Sequence, residues 1–163
     1  MRLLVVSTPV GALGSGRGGG VEITATGLVA ALLHRGHQVT MLAGEGSRLP
    51  PSCSEARLWL EAGVDQPSWQ HQPRSAAAQL PADGLLPRLW QRALENQGEI
   101  DVVLKLAYDW LPFWLTPLLP TPLFHLVSMG SVATVMDEVI EAVARSDQRR
   151  LAFHSRAQAG DFR

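Results

Sequence analysis

The stretch from Arg2 to His34 restricts the fold of this chain more than any other. An apolar run, Leu3-Leu4-Val5-Val6, leads into a loop holding Gly11, Gly14, Gly16, Gly18, Gly19 and Gly20. Then follows a segment with apolar residues at Ile23, Leu28, Ala31 and Leu32, free of proline as far as Arg35-Gly36-His37. This order predicts a strand over Arg2 to Ser7, a ligand loop, and an amphipathic helix. A helix N-terminus presents unpaired N–H groups and the positive end of the macrodipole, and glycines let an anion approach the backbone. Phosphate is the expected guest. Because glycines lose much freedom on ordering, the loop from Thr8 to Gly20 is expected to be mobile until a ligand holds it.

The loop contains a literal GxGxxG at Gly14, Gly16 and Gly19, but Thr8, Pro9 and Val10 separate the strand from its first glycine. The dinucleotide fingerprint needs that glycine at the strand end and an acid closing the second strand; here the second strand runs into Gly44-Glu45. A phosphate loop of the Walker type fits less well still, because Val21 follows Gly20 and no Lys-Ser/Thr pair is present.

A chain of 163 residues with 46% hydrophobic residues suits one domain with a real core. The net charge of -1 leaves no electrostatic footprint for nucleic acid. The single cysteine, Cys53, cannot form an internal disulfide, which fits a reducing compartment. The apolar run at the N-terminus stops at Ser7-Thr8-Pro9, short of a signal segment or membrane span. The expected location is the cytoplasm, or the periphery of the inner face of a membrane.

Further along, Arg35-Gly36-His37 reads as a helix stop before a strand over Gln38 to Leu42. His34 and His37 have no carboxylate or cysteine near them in sequence to complete a metal site, and no metal is expected. A third strand is predicted around Ala56 to Leu60, and Glu61 to Asp83, with Pro67, Pro73 and Pro81, reads as a long surface excursion. A helix from Gly84 towards Asn96 precedes a buried strand over Ile100 to Leu106, interrupted by Lys105. The aromatic stretch Tyr108-Asp109-Trp110-Leu111-Pro112-Phe113-Trp114 comes next, where α/β sheets bind ligands. Strand Leu123 to Val127 carries His125 and ends in Ser128-Met129-Gly130-Ser131; a serine-hydrolase elbow would need glycine at Leu126. A helix from Val132 to Ala144 and a strand over Leu151 to His154 complete the series. The alternation predicts one α/β domain over residues 1–163, a doubly wound, mostly parallel Rossmann-like sheet with Arg2 to Ser7 at its centre.

Four stretches carry a family resemblance: Arg2 to Ser7 with Gly18-Gly19-Gly20-Val21-Glu22; Leu32 to Thr40 with its Arg-Gly-His; Asp101-Val102-Val103 leading to Tyr108-Asp109-Trp110; and Pro122 to Gly130 with His125. In these the chain resembles the N-terminal domain of a GT-B-fold glycosyltransferase of the retaining, glycogen-synthase-like and sucrose-synthase-like superfamily. The commoner relatives have a histidine just after the Asp-Val-Val strand, where this chain has Leu104 and Leu106.

The resemblance implies a metal-independent enzyme that uses a nucleotide-sugar as donor, needs no further cofactor, and transfers the sugar to a sugar or lipid-linked acceptor. It further implies that a C-terminal donor-binding domain of the same polypeptide is missing, so that residues 1–163 alone would be inactive. Gly18, Gly19, Gly20, Tyr108, Asp109, Ser128 and Gly130 are then the expected substrate and donor contacts, and His125 the catalytic residue, positioning a sugar hydroxyl. The absence of an Asp-x-Asp pattern agrees with diphosphate neutralisation by basic groups and helix dipoles. Two other classes fit the residues: an NAD(P)-dependent oxidoreductase-like Rossmann domain, and a non-catalytic nucleotide-binding or interaction domain.

Overall fold

Leu4, Val5 and Val6 have no polar face to turn to water, so the first strand must be covered on both sides and flanked on both edges. The structure, a computed structural model that describes residues 1–162, puts it at the centre of the sheet. Strand β1 (Arg2–Val6) pairs in parallel with β2 (Gln38–Gly44), Leu3 opposite Val39, and with β4 (Val102–Lys105), Val6 opposite Lys105. Adding β3 (Arg57–Glu61), β5 (Leu123–Val127) and β6 (Leu151–Phe153) gives a six-stranded, all-parallel sheet in the order β3-β2-β1-β4-β5-β6. The fold is α/β and Rossmann-like, with the direction of winding reversing between β1 and β4. Such a reversal opens a crevice at the carboxyl ends of the strands.

Side-chain alternation sends successive strand residues to two separate cores. Val5, Val39 and Met41 meet Ala25 and Val29 of helix α1 (Gly20–His34) on one face. On the other, Leu4, Val6, Leu42 and Val103 meet Leu85, Leu89 and Trp90 of α2 (Leu85–Glu95), and Val127 meets Phe113 of α3 (Trp110–Leu115) and Met136 and Ile140 of α4 (Thr134–Asp147). A last helical turn, α5 (Arg156–Ala159), follows β6. No helix among the described residues is long and apolar enough to cross a membrane.

The Arg-Gly-His segment has a local explanation. Gly36 takes a left-handed φ of 78°, its N–H bonds Leu33 O at 2.8 Å, and the His37 N–H bonds Leu32 O at 3.1 Å, closing α1 with the turn that glycine permits. The excursion after β3 is more ordered than its composition suggests. Trp69 is buried in one cluster with Tyr108 and Phe113, and Arg74 reaches Ser131 and Asp137 near the start of α4. The segment thus crosses from the β3 edge to roof the carboxyl ends of the central strands.

Candidate functional site

A crevice of about 420 Å³ opens at the reversal point, walled by Arg17 to Val21, floored by Leu106 to Asp109, closed on the far side by Ser128, Met129 and His154, and roofed by Ser68 to Gln70. One wall is the start of α1. Gly19, the N-cap, has φ 58° and contributes no side-chain cap, and the first amides of a helix have no partner within it. The Gly20 and Val21 N–H groups are therefore positioned for an anion, with Arg17 beside them. Arg17 also meets Asp65 at 2.5 Å, but its side chain is well exposed.

The glycine loop itself does not have the form expected of it. The Glu22 carboxylate turns back from the first turn of α1 and accepts the N–H groups of Gly14 at 2.7 Å, Gly16 at 3.2 Å and Gly18 at 2.6 Å. Farther out, the Leu13 N–H donates to Ser47 Oγ at 2.8 Å and Leu13 O accepts the Arg48 N–H at 3.0 Å. The Leu13 side chain sinks into the core with Met41, Ala43 and Cys53, at the carboxyl end of β2. The expectation of a loop ordered only by ligand is corrected: internal hydrogen bonds and a buried leucine hold it.

Beneath the crevice lies a feature that reads in sequence as a mere interruption. Lys105 is 0% exposed; its ammonium donates to Ser7 O and stands 2.8 Å from Asp109 Oδ2, an ion pair off the line of an aligned hydrogen bond. It ties the end of β1 to the end of β4 at the reversal point. Burial pulls its pKa below the ordinary lysine value, and the Asp109 charge opposes that pull. Asp109 is the carboxylate of the crevice floor. Tyr108, next to it, lines the crevice as a neutral phenol: burial pushes its pKa up to about 12, and its oxygen sits 3.4 Å from both Asp137 Oδ1 and the Val132 N.

His125 is not in the crevice. Alternation along β5 places it with Leu123 and Val127 on the face covered by α3, 1% exposed, its ring stacked on Phe113 at 4.1 Å. Its Nε2 is 2.7 Å from Thr116 Oγ1, whose single proton is donated to Pro112 O, so the imidazole carries its own proton on Nε2. Nδ1 is left without a partner. Burial, then the neighbouring Lys105 charge, pushes its pKa down to about 3. The expectation of a catalytic His125 is corrected to a neutral core residue. Of the other expected contacts, Gly18, Gly19, Gly20, Tyr108, Asp109 and Ser128 line the crevice. Gly130 does not; a Cβ there would lie 2.9 Å from Asp161 Oδ2, which places it against the chain's C-terminal turn. Trp69 and His154 also line the crevice without having been singled out in the sequence, and only the size of Trp69 in a polar stretch could have marked it.

No family model matches this chain, and no curated protein matches it. Among solved structures, the C-terminal domain of the coenzyme A biosynthesis bifunctional protein CoaBC is similar over 90% of this chain and 69% of that chain, with 12% sequence identity and a TM-score of 0.46. The glycosyltransferase resemblance is corrected accordingly, and with it the nucleotide-sugar transfer it implied: no family model and no curated protein supports either. Two of the four stretches that carried it have structural explanations here, the Arg-Gly-His as a glycine-closed helix end and His125 as core.

Proposed function

We propose that this chain is a nucleotide-binding Rossmann-like domain whose crevice takes a phosphorylated ligand of mononucleotide size. The observation that carries this reading is the meeting, at the reversal between β1 and β4, of the open amides of Gly20 and Val21 with the Asp109 carboxylate across a crevice of about 420 Å³. A phosphate fits the helix start and Arg17, while a ligand hydroxyl can donate to Asp109, a carboxylate balanced from below by Lys105.

A dinucleotide is disfavoured for a steric reason. In doubly wound sheets its adenosine half lies over the end of the second strand. Here Leu13 fills the core at that strand's end and is pinned by Ser47 and Arg48. The test is a titration of the ¹⁵N-labelled chain with AMP, ADP and NAD. AMP should shift the amides of Gly20, Val21, Ala107 and Tyr108, and NAD should bind no tighter than AMP. Absence of any nucleotide-dependent shift there, or NAD-dependent shifts at Gly44 and Glu45, would overturn the reading.

A further inference from the structure

Glu22 is 7% exposed, yet no lysine, arginine or histidine among the described residues pairs with it. Its charge is met by backbone instead: the amides of Gly14, Gly16 and Gly18 at 2.6 to 3.2 Å, and the positive end of α1, in whose first turn it sits. Convergent backbone N–H groups of this kind are the environment that proteins offer to phosphate. The loop and the carboxylate also fit one another in shape. A Cβ at Gly18 would lie 2.8 Å from Glu22 Cγ and 2.9 Å from both Glu22 Oε1 and Thr8 Cγ2, so Gly18 is needed to admit the carboxylate, not a ligand.

We propose that Glu22 is the permanent anionic occupant of the glycine loop and a positioning residue for the crevice. By filling the amides of Gly14, Gly16 and Gly18 it fixes the path of the chain into Gly19, and so sets the direction of the Gly20 and Val21 amides and the place of Arg17. It also confines a ligand's phosphate to the helix start, since the amides of Gly14, Gly16 and Gly18 are already taken. A glycine-rich loop without this carboxylate would have to recover its ordering entropy from the ligand, weakening binding. The inference rests on the crevice reading above for its effect on nucleotide binding, but the occupancy of the loop stands on the hydrogen bonds alone.

The test uses the ¹⁵N-labelled full chain as wild type, Glu22→Ala and Glu22→Gln. In the wild type, saturating AMP should move the Gly20 and Val21 amides and leave those of Gly14, Gly16 and Gly18 in place. Glu22→Ala should bind AMP about ten-fold more weakly, a loss of roughly 1.4 kcal/mol, and excess sodium acetate, with sodium chloride at equal ionic strength as control, should restore both affinity and melting temperature. A side chain with only a structural role would lower the melting temperature and leave the AMP affinity of the folded protein unchanged. If Glu22→Ala does not fold, Glu22→Gln, which keeps one acceptor oxygen but no charge, should shift the three glycine amides and weaken AMP binding. Displacement of the carboxylate by AMP, seen as large shifts at Gly14, Gly16 and Gly18 in the wild type, would overturn the proposal. So would unchanged AMP affinity in the variants. Should no nucleotide bind the wild type, the crevice reading and the positioning role both fail, while acetate rescue of Glu22→Ala stability, or the glycine shifts of Glu22→Gln, still decides what fills the loop.

Discussion

His125 should make this protein sensitive to acid in a way that can be calculated. The ring holds its proton on Nε2 towards Thr116, and a second proton would have to go on Nδ1, which has no acceptor and lies near the Lys105 charge. In the unfolded chain the imidazole takes up that proton near its ordinary 6.5, whereas in the folded chain it waits until about 3. Because the folded pKa is lowered, the unfolded state binds more protons throughout that window, so stability is full above 6.5 and falls with pH below it. Between pH 7 and pH 5 the loss attributable to this one group is about 2 kcal/mol. The figure is set by the unfolded pKa alone as long as the folded value stays well under 5. Urea unfolding at both pH values, on wild type and His125→Leu, isolates the effect. The variant loses stability at pH 7 through the broken stack on Phe113, but its further loss between pH 7 and pH 5 should be smaller than the wild type's by that amount. Equal pH dependence in both proteins would refute the argument, and turnover or ligand affinity that tracked His125 ionisation would return the residue to the site.

Lys105→Met should destabilise the chain by roughly 3–5 kcal/mol, because it strands a buried Asp109 carboxylate, and the double variant Lys105→Met/Asp109→Leu should recover much of that loss in a urea melt. Leu13→Ala should cost about 2–5 kcal/mol and, by clearing the end of β2, should raise NAD affinity relative to AMP in calorimetry. Arg17→Gln should weaken AMP binding only by roughly two- to five-fold, as expected of an exposed charge contributing up to about 1 kcal/mol, and should leave the melting temperature nearly unchanged.

The architecture was open to sequence reasoning because its signals are local and repeated. The doubly apolar run Leu3 to Val6 demanded a central strand, and the alternation of strands with helices demanded parallel pairing with the β1 reversal, although α1 buries Ala25 and Val29 and leaves the expected Ile23 exposed. The errors in the site have physical causes. His125 shares its parity with Leu123 and Val127, which already consigned it to a helix-covered face; the nearby Ser-Gly turn drew attention to the wrong side of the strand. Glu22 and Lys105 were harder, since spacing alone does not give the fold-back each depends on: the glycine loop turned over the start of α1, and the crossing between the ends of β1 and β4. Gly130 sits beside a residue thirty-one positions later, a contact no spacing rule encodes. The excursion from Glu61 to Asp83 looked unstructured because its order comes from Trp69 and Arg74 docking onto distant elements, not from local propensity.

The most direct test of the account is a crystal structure of the chain with AMP bound. The phosphate should lie against the Gly20 and Val21 amides beside Arg17, with a ribose hydroxyl donating to Asp109 and the Glu22 carboxylate still on Gly14, Gly16 and Gly18. An adenosine lying over Gly44 and Glu45 at the end of β2, or a phosphate seated in place of the Glu22 carboxylate, would contradict it.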